Sequence, residues 1–191
     1  MTDVTLKFSG GSRLESHLKQ LSNSLNAASV VRVGFLEGAN YSEGDGGARL
    51  AAAAERLTKA QQSAHPSWRP RLLAWSRWQV AHPTNLSVAQ VAFWNEFGTS
   101  HTKPRPFFRN TISKRSGEWG DTLARYLKGA QFNAAIALGK LGKLISEQIR
   151  TSILNWPADN AELTVFIKGF NHGLVDRGVM SKSVDFEVVG K

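Results

Sequence analysis

Apolar and polar positions alternate over residues 2 to 8, with Val4, Leu6 and Phe8 against polar neighbours, and this predicts a strand. Gly10 and Gly11 break it. Ser12 with Glu15 three residues later has the form of a capping box. Leu14, Leu18, Leu21 and Leu25 then line up as one apolar helical stripe reaching about Ala27. The run "VVRVGFL" from Val30 reads as a second strand, and the glycine-rich, acidic "EGANYSEGDGG" after it reads as a loop. Residues 48 to 63 are alanine-rich and predict a helix. Pro83 and Asn85 mark a turn. In "VAQVAFWNEF", Val88, Val91, Ala92 and Asn95 share one helical face.

Two longer helices follow in the pattern. One spans 107 to 128, with expected interruptions near Gly117 and Gly120. The other spans 132 to 154, where Phe132, Ile136, Gly139, Gly142, Ile145, Ile149 and Ile153 recur every three or four residues. Its two glycines cost about 1 kcal/mol each in a helix, and on the apolar face they would let another backbone approach closely. Trp156-Pro157 end it. "LTVFIKG" at 163 to 169 predicts a strand. "LVDRGVMSKS" reads as a turn into a short helix, with Asp176 as the expected cap, and Gly178 beside it in the same turn. Val184, Phe186 and Val188 alternate in a last strand, and the closing strands suggest a hairpin. The predicted class is α+β: a small antiparallel sheet packed on a long amphipathic helix. A single domain is expected over 1–191, with a helical Trp/Arg-rich insertion at 48–86.

Charge changes this picture. The formal net charge is +9 over 191 residues, which predicts a polyanionic neighbour. From Arg49 to Trp78 there are six Lys or Arg (Arg49, Arg56, Lys59, Arg69, Arg71, Arg77) and one acid, Glu55. These cations suit phosphate contacts, and the interleaved tryptophans suit base stacking. The competing arrangement, favoured for the tryptophans, is a helical hairpin with Trp side chains inward and arginines in water. Arg69, Arg71 and Arg77 are the candidate DNA-facing residues.

Catalytic and metal chemistry find little support. With no cysteine, disulfides and thiolate metal sites are excluded. His17, His65, His82, His101 and His172 show no four-residue pairing. There is no nucleophile elbow and no phosphate loop. Asp176-Arg177-Gly178 lacks the small hydroxyl residue of an aspartic protease triplet. Glu37, Glu43 and Asp45 match no calcium loop. No catalytic residue and no cofactor is expected. No signal peptide and no membrane span is visible, so the expected place of work is a cytoplasm, or a particle assembled in one.

The stretch "VAFWNEFGT" followed by "KPRPFFRNTI" resembles a signature of bacteriophage head–tail joining and tail-completion proteins, the minor tail protein Z-like group. The matching positions are Asn95, Glu96, Phe97, Gly98 and Thr99, then Pro104, Arg105, Pro106, Phe107, Phe108 and Arg109. "VVRVGFLEGANYSEG" is similar to the family's early strand and glycine-tyrosine loop, through Gly34, Gly38, Tyr41 and Gly44. "GLVDRGVMSKSVDFEV" resembles its closing turn, short helix and last strand, with Arg177 where the family has threonine. The similarity covers about 30–45 and 87–190, and 48–86 looks like an insertion.

The resemblance implies a virion protein of the phage neck. Its partners would be further copies of itself in a ring, commonly a hexamer, a head connector or stopper protein, and a tail terminator or tail tube protein. Packaged DNA would pass through the lumen without being read. On this reading Asn95 to Gly98 and Pro104 to Arg109 form the subunit or partner interface, with Phe107 and Phe108 as its apolar plug and Arg105 and Arg109 pairing a neighbour's acids. A loop closing the chain's own core is the competing role for this stretch. The alternative function is a basic DNA-binding protein without sequence preference.

Overall fold

The computed structural model describes residues 11–26, 30–36, 38–41, 46–81 and 86–190. The strand expected over 2–8, the acids Glu37, Glu43 and Asp45, Gly44, and the turn at Pro83 and Asn85 lie outside the described residues, as do the Ser12 and Leu14 side chains. In chain order the elements are α1 (Gly11–Asn26), β1 (Val30–Phe35), α2 (Gly46–Arg56), α3 (Lys59–Ala64), α4 (Trp68–Ala81), α5 (Val88–Phe97), α6 (Phe107–Gly129), α7 (Ala134–Leu154), α8 (Glu162–Lys168), α9 (Val179–Lys182) and β2 (Val184–Val189). The class is α+β, dominated by helix, with β1 and β2 paired as one antiparallel sheet. The last strand therefore pairs with the first described one, not with a hairpin neighbour. Contacts gather into two compact units: 1–34, 112–147 and 185–191 in the first, 35–111 and 148–184 in the second.

In the first unit α7 lies on the sheet at Gly142. A Cβ built there would come within 2.6 Å of the Phe186 ring and 2.7 Å of Val31 Cγ2, so the missing side chain is what lets helix and sheet meet. At Gly139 the nearest atom, Val188 Cγ2, is 3.9 Å away, an ordinary contact. Arg32 and Glu187 pair across the strands at 3.1 Å on the exposed face. Gly117 and Gly120 do not interrupt α6. Nothing lies within 4 Å of either Cβ position, and a cost of about 1 kcal/mol each is too small to break a helix of 23 residues.

In the second unit α2 packs on α4. Leu50, Ala53, Ala54, Leu57 and Leu72 are buried together, with Trp68, Leu163, Phe166 and Ile167 against them. Small residues make the approach close: Ser76 Oγ donates to the Gly47 carbonyl at 2.8 Å, and a Cβ on Gly47 would meet Val80 at 2.9 Å. The predicted 48–63 helix breaks at Thr58, which starts α3 with a capping box closed by Gln61. The strand predicted at 163–169 is helix α8. Leu163, Val165 and Ile167 satisfy the strand period, but Leu163, Phe166 and Ile167 satisfy the helical one, and these face the α2–α4 cluster. Gly169, at φ 84°, ends it in the left-handed region. Among the described residues, no helix is long and apolar enough to cross a membrane.

Candidate functional site

The Asn95–Arg109 stretch folds back on itself through a chain of polar contacts. Helix α5 begins at Ser87, whose hydroxyl accepts from Gln90 N at 3.1 Å. Its buried positions are Val88, Ala92 and Glu96, one side of the helix, with a carboxylate at the end of an otherwise apolar row. Gly98, at φ 79°, ends the helix, and a Cβ there would crowd Thr102 O at 2.8 Å and the Pro104 ring at 3.0 Å. The turn closes through the Thr99–Thr102 bridge. The chain then returns along α5, with Arg105 N donating to Asn95 O at 2.6 Å.

Glu96 is the centre of this return. Its carboxylate accepts from Phe108 N at 2.9 Å, Arg109 N at 3.1 Å and Arg109 Nε at 2.8 Å. Phe108 and Arg109 lie in the first turn of α6, where backbone N–H groups have no partner within the helix. A side chain of one helix therefore caps the next, and its negative charge sits at the positive end of the α6 dipole. Phe107 is 1% exposed. Its ring meets Phe35 edge-on at 6.2 Å, and its carbonyl accepts from Thr111 Oγ1 and Ser152 Oγ.

Arg105 is held as firmly. Nε donates to both oxygens of Asp159 at 2.9 and 2.8 Å, and Nη1 to Asn95 Oδ1 at 3.2 Å. Burial pushes the Asp159 carboxyl up, but the Arg105 hydrogen bonds, the Trp156 indole and the Arg105 charge outweigh it and hold it below the ordinary range. Gly173 makes room for the pair, since a Cβ there would collide with the Asp159 carboxylate.

Within this chain, then, Arg105 and Arg109 have acidic partners of their own, and Phe107 sits in the core. What the segment turns outward is aromatic. Phe93 and Phe97 are 58% and 51% exposed, with ring centroids 4.7 Å apart and Arg109 4.7 Å above Phe97. With Phe35, Ala89 and Phe108 they line an apolar groove of about 210 Å³.

The closing turn is also tied down. Gly178, at φ 72°, caps α9 in the left-handed region that glycine favours. Asp176 does not cap α9. It takes a bidentate pair from Arg49 at 2.7 and 2.9 Å, and these hydrogen bonds hold its carboxyl below the ordinary value. Arg49 opens the predicted insertion, so that segment reaches the closing turn. Tyr41, in the glycine-tyrosine loop, has its phenol pushed up by burial and by Asp176. Its backbone donates to Leu86 O at 3.0 Å, and Val88 N to Ala39 O at 2.9 Å, lacing that loop to the start of α5.

Of the candidate DNA-facing arginines, Arg69 pairs with Glu55 at 3.1 Å. Arg71 and Arg77 are exposed and have no acidic partner among the described residues. The expectation that the tryptophans turn inward holds for Trp68, which stacks on His65 at 4.0 Å and packs toward Phe166. It fails for Trp75 and Trp78, which are 50% and 51% exposed. The inward positions of α4 belong to Leu72 and Ser76, because Gly47 brings α2 too close for a ring.

Asp159 carried no signal in the sequence. Glu96 did: it falls four residues after Ala92 and eight after Val88, on the apolar row where a charge needs a partner. Comparisons with known protein families, curated proteins and solved structures returned no match to this chain.

Proposed function

We propose that the chain is a structural subunit of a bacteriophage neck, a ring-forming tail-completion or head–tail joining protein. The ring joins the head connector or stopper to the tail terminator or tail tube, and DNA passes through its lumen unread. The observation that carries this reading is the Glu96 junction. It links the two halves of the resembling signature and leaves Phe93 and Phe97 outward as an aromatic pair. Rings use heterologous contacts, one patch against a different one, and exposed aromatics next to an arginine suit such a patch. On this reading the apolar part of the expected interface would be Phe97 and the outer side of Phe108, joined by Phe93, with Phe107 serving the core instead. The test is electron microscopy of particles made without this protein. Separate heads and tails are expected, and intact particles at normal yield would refute the role.

A second reading is favoured by one observation. Arg71 and Arg77, without an acidic partner among the described residues, lie on α4 with the half-exposed Trp75 and Trp78. As a free DNA-binding protein, the chain would bind DNA tightly as a monomer, with affinity falling steeply as salt rises. Weak binding that is insensitive to Arg71→Gln and Arg77→Gln would exclude that reading.

A further inference from the structure

A cavity of about 640 Å³ opens in the second unit between α5, the turn at 99–105 and the stretch from Asp159 to Gly173. That volume lies in the range of small-molecule sites. Its charge is lopsided. His101, Lys103, Arg105 and Lys168 line it against one carboxylate, Asp159. That carboxylate is already engaged by Arg105 and by Trp156 Nε1 at 3.3 Å. Arg105 spends Nε and Nη1 on Asp159 and Asn95, while Nη2 has no hydrogen bond among the described residues. Lys168 Nζ donates to His172 O at 2.6 Å, which uses one of three ammonium protons. Burial pushes the Lys168 pKa down, with Asp176 only partly offsetting it. The ammonium also lies 5.0 Å from the Phe170 ring centroid. Thr164, Asn160 and Thr102 add neutral hydrogen-bonding groups to the wall.

We propose that this cavity binds a small oxyanion-bearing molecule, phosphate or carboxylate, anchored by Arg105 and Lys168. Arg105 is fixed in advance by Asn95 and Asp159, so its free edge is presented without ordering cost on binding. A bound oxyanion would offset the burial of the Lys168 ammonium. The exposed Lys103 and His101 add attraction around this anchor. The inference does not rest on the neck reading, and holds for either function.

The test is titration calorimetry on the full chain at low ionic strength, with inorganic phosphate in one arm and citrate in the other. Saturable one-site binding of at least one is expected, and the preferred arm names the oxyanion. Lys168→Met removes a partly buried charge and is expected to fold, which circular dichroism checks. It should weaken binding roughly tenfold or more. Lys103→Ala, on the exposed rim, should weaken it less, and Lys140→Met, on α7 in the other unit, should leave it unchanged. Absence of saturable binding in both arms, or equal affinity in Lys168→Met and the unsubstituted chain, would overturn the assignment.

Discussion

Replacing Glu96 by alanine should cost far more than a surface glutamate does. Its side chain is 7% exposed, so solvent screens little of what it does. The carboxylate receives two backbone N–H groups of α6, and hydrogen bonds to a charged group are worth about 1.5–3 kcal/mol each. Some of this returns, because the Phe108 and Arg109 amides, only partly buried, can recruit water in the variant. The third bond, from Arg109, adds at most about 1 kcal/mol, since that arginine is 55% exposed. A net loss of about 3–4 kcal/mol follows, which for a chain of this length lowers Tm by about 10 °C. Glu96→Gln should lose about half as much, because its one remaining carbonyl oxygen still accepts. Urea denaturation gives the energy, and amide exchange at Phe108 and Arg109 gives the location. A loss under about 1 kcal/mol, with both amides still protected, would refute the cap.

The two α7 glycines predict opposite signs. Gly142→Ala should destabilise by about 1–2 kcal/mol, overpacking against Phe186 and Val31. Gly139→Ala, whose Cβ would meet only Val188 at an ordinary contact distance, should stabilise by up to about 1 kcal/mol, and thermal melts of the pair decide it. Asp159 and Asp176 both have folded pKa values below the ordinary 3.8. Their contribution is complete above that value and lost as pH falls through the lower folded pKa, so stability should drop below about pH 4. Asp176→Asn should flatten this acid limb. On the neck reading, Phe93→Ser with Phe97→Ser should leave the melting of the free chain nearly unchanged, since both rings are exposed. Ring assembly, measured by light scattering, should be abolished, and normal assembly would sink the aromatic interface.

Much of the helical framework was legible from spacing alone. The α5 stripe, the α7 stripe from Gly142 to Ile153, the stop at Trp156-Pro157 and strands β1 and β2 follow from periods of 3.6 and 2, whereas at the start of α7 the predicted Phe132 and Ile136 are exposed and Ala134, Ala137 and Leu141 are buried instead. Where periods compete, sequence spacing cannot choose. Residues 163–169 fit both, and the α2–α4 cluster settles the matter by burying Leu163, Phe166 and Ile167 on one helical face. The pairing of β1 with β2 was hidden because the two strands are separated by most of the chain. The signature at 95–109 was visible, but which of its rings is buried was not. Phe107 is core, and the outward rings are Phe97 within the signature and Phe93 one turn before it, both on α5. The motif spacing identifies which residues meet, whereas exposure depends on Phe35, Ser152 and Asp159, which are distant in sequence.

The cluster shared by α2, α4 and α8 bears on whether residues 48–86 could be removed from the chain. A segment spliced into a finished fold should be removable, leaving its host sound. Here Leu163, Phe166 and Ile167 of α8 find their cover on α2 and α4, and Asp176 finds its cation in Arg49. Excising 48–86 would strip an apolar helix face and leave a carboxylate without its bidentate partner. Residues 48–86 and helix α8 therefore stabilise each other, and neither covers its apolar face without the other.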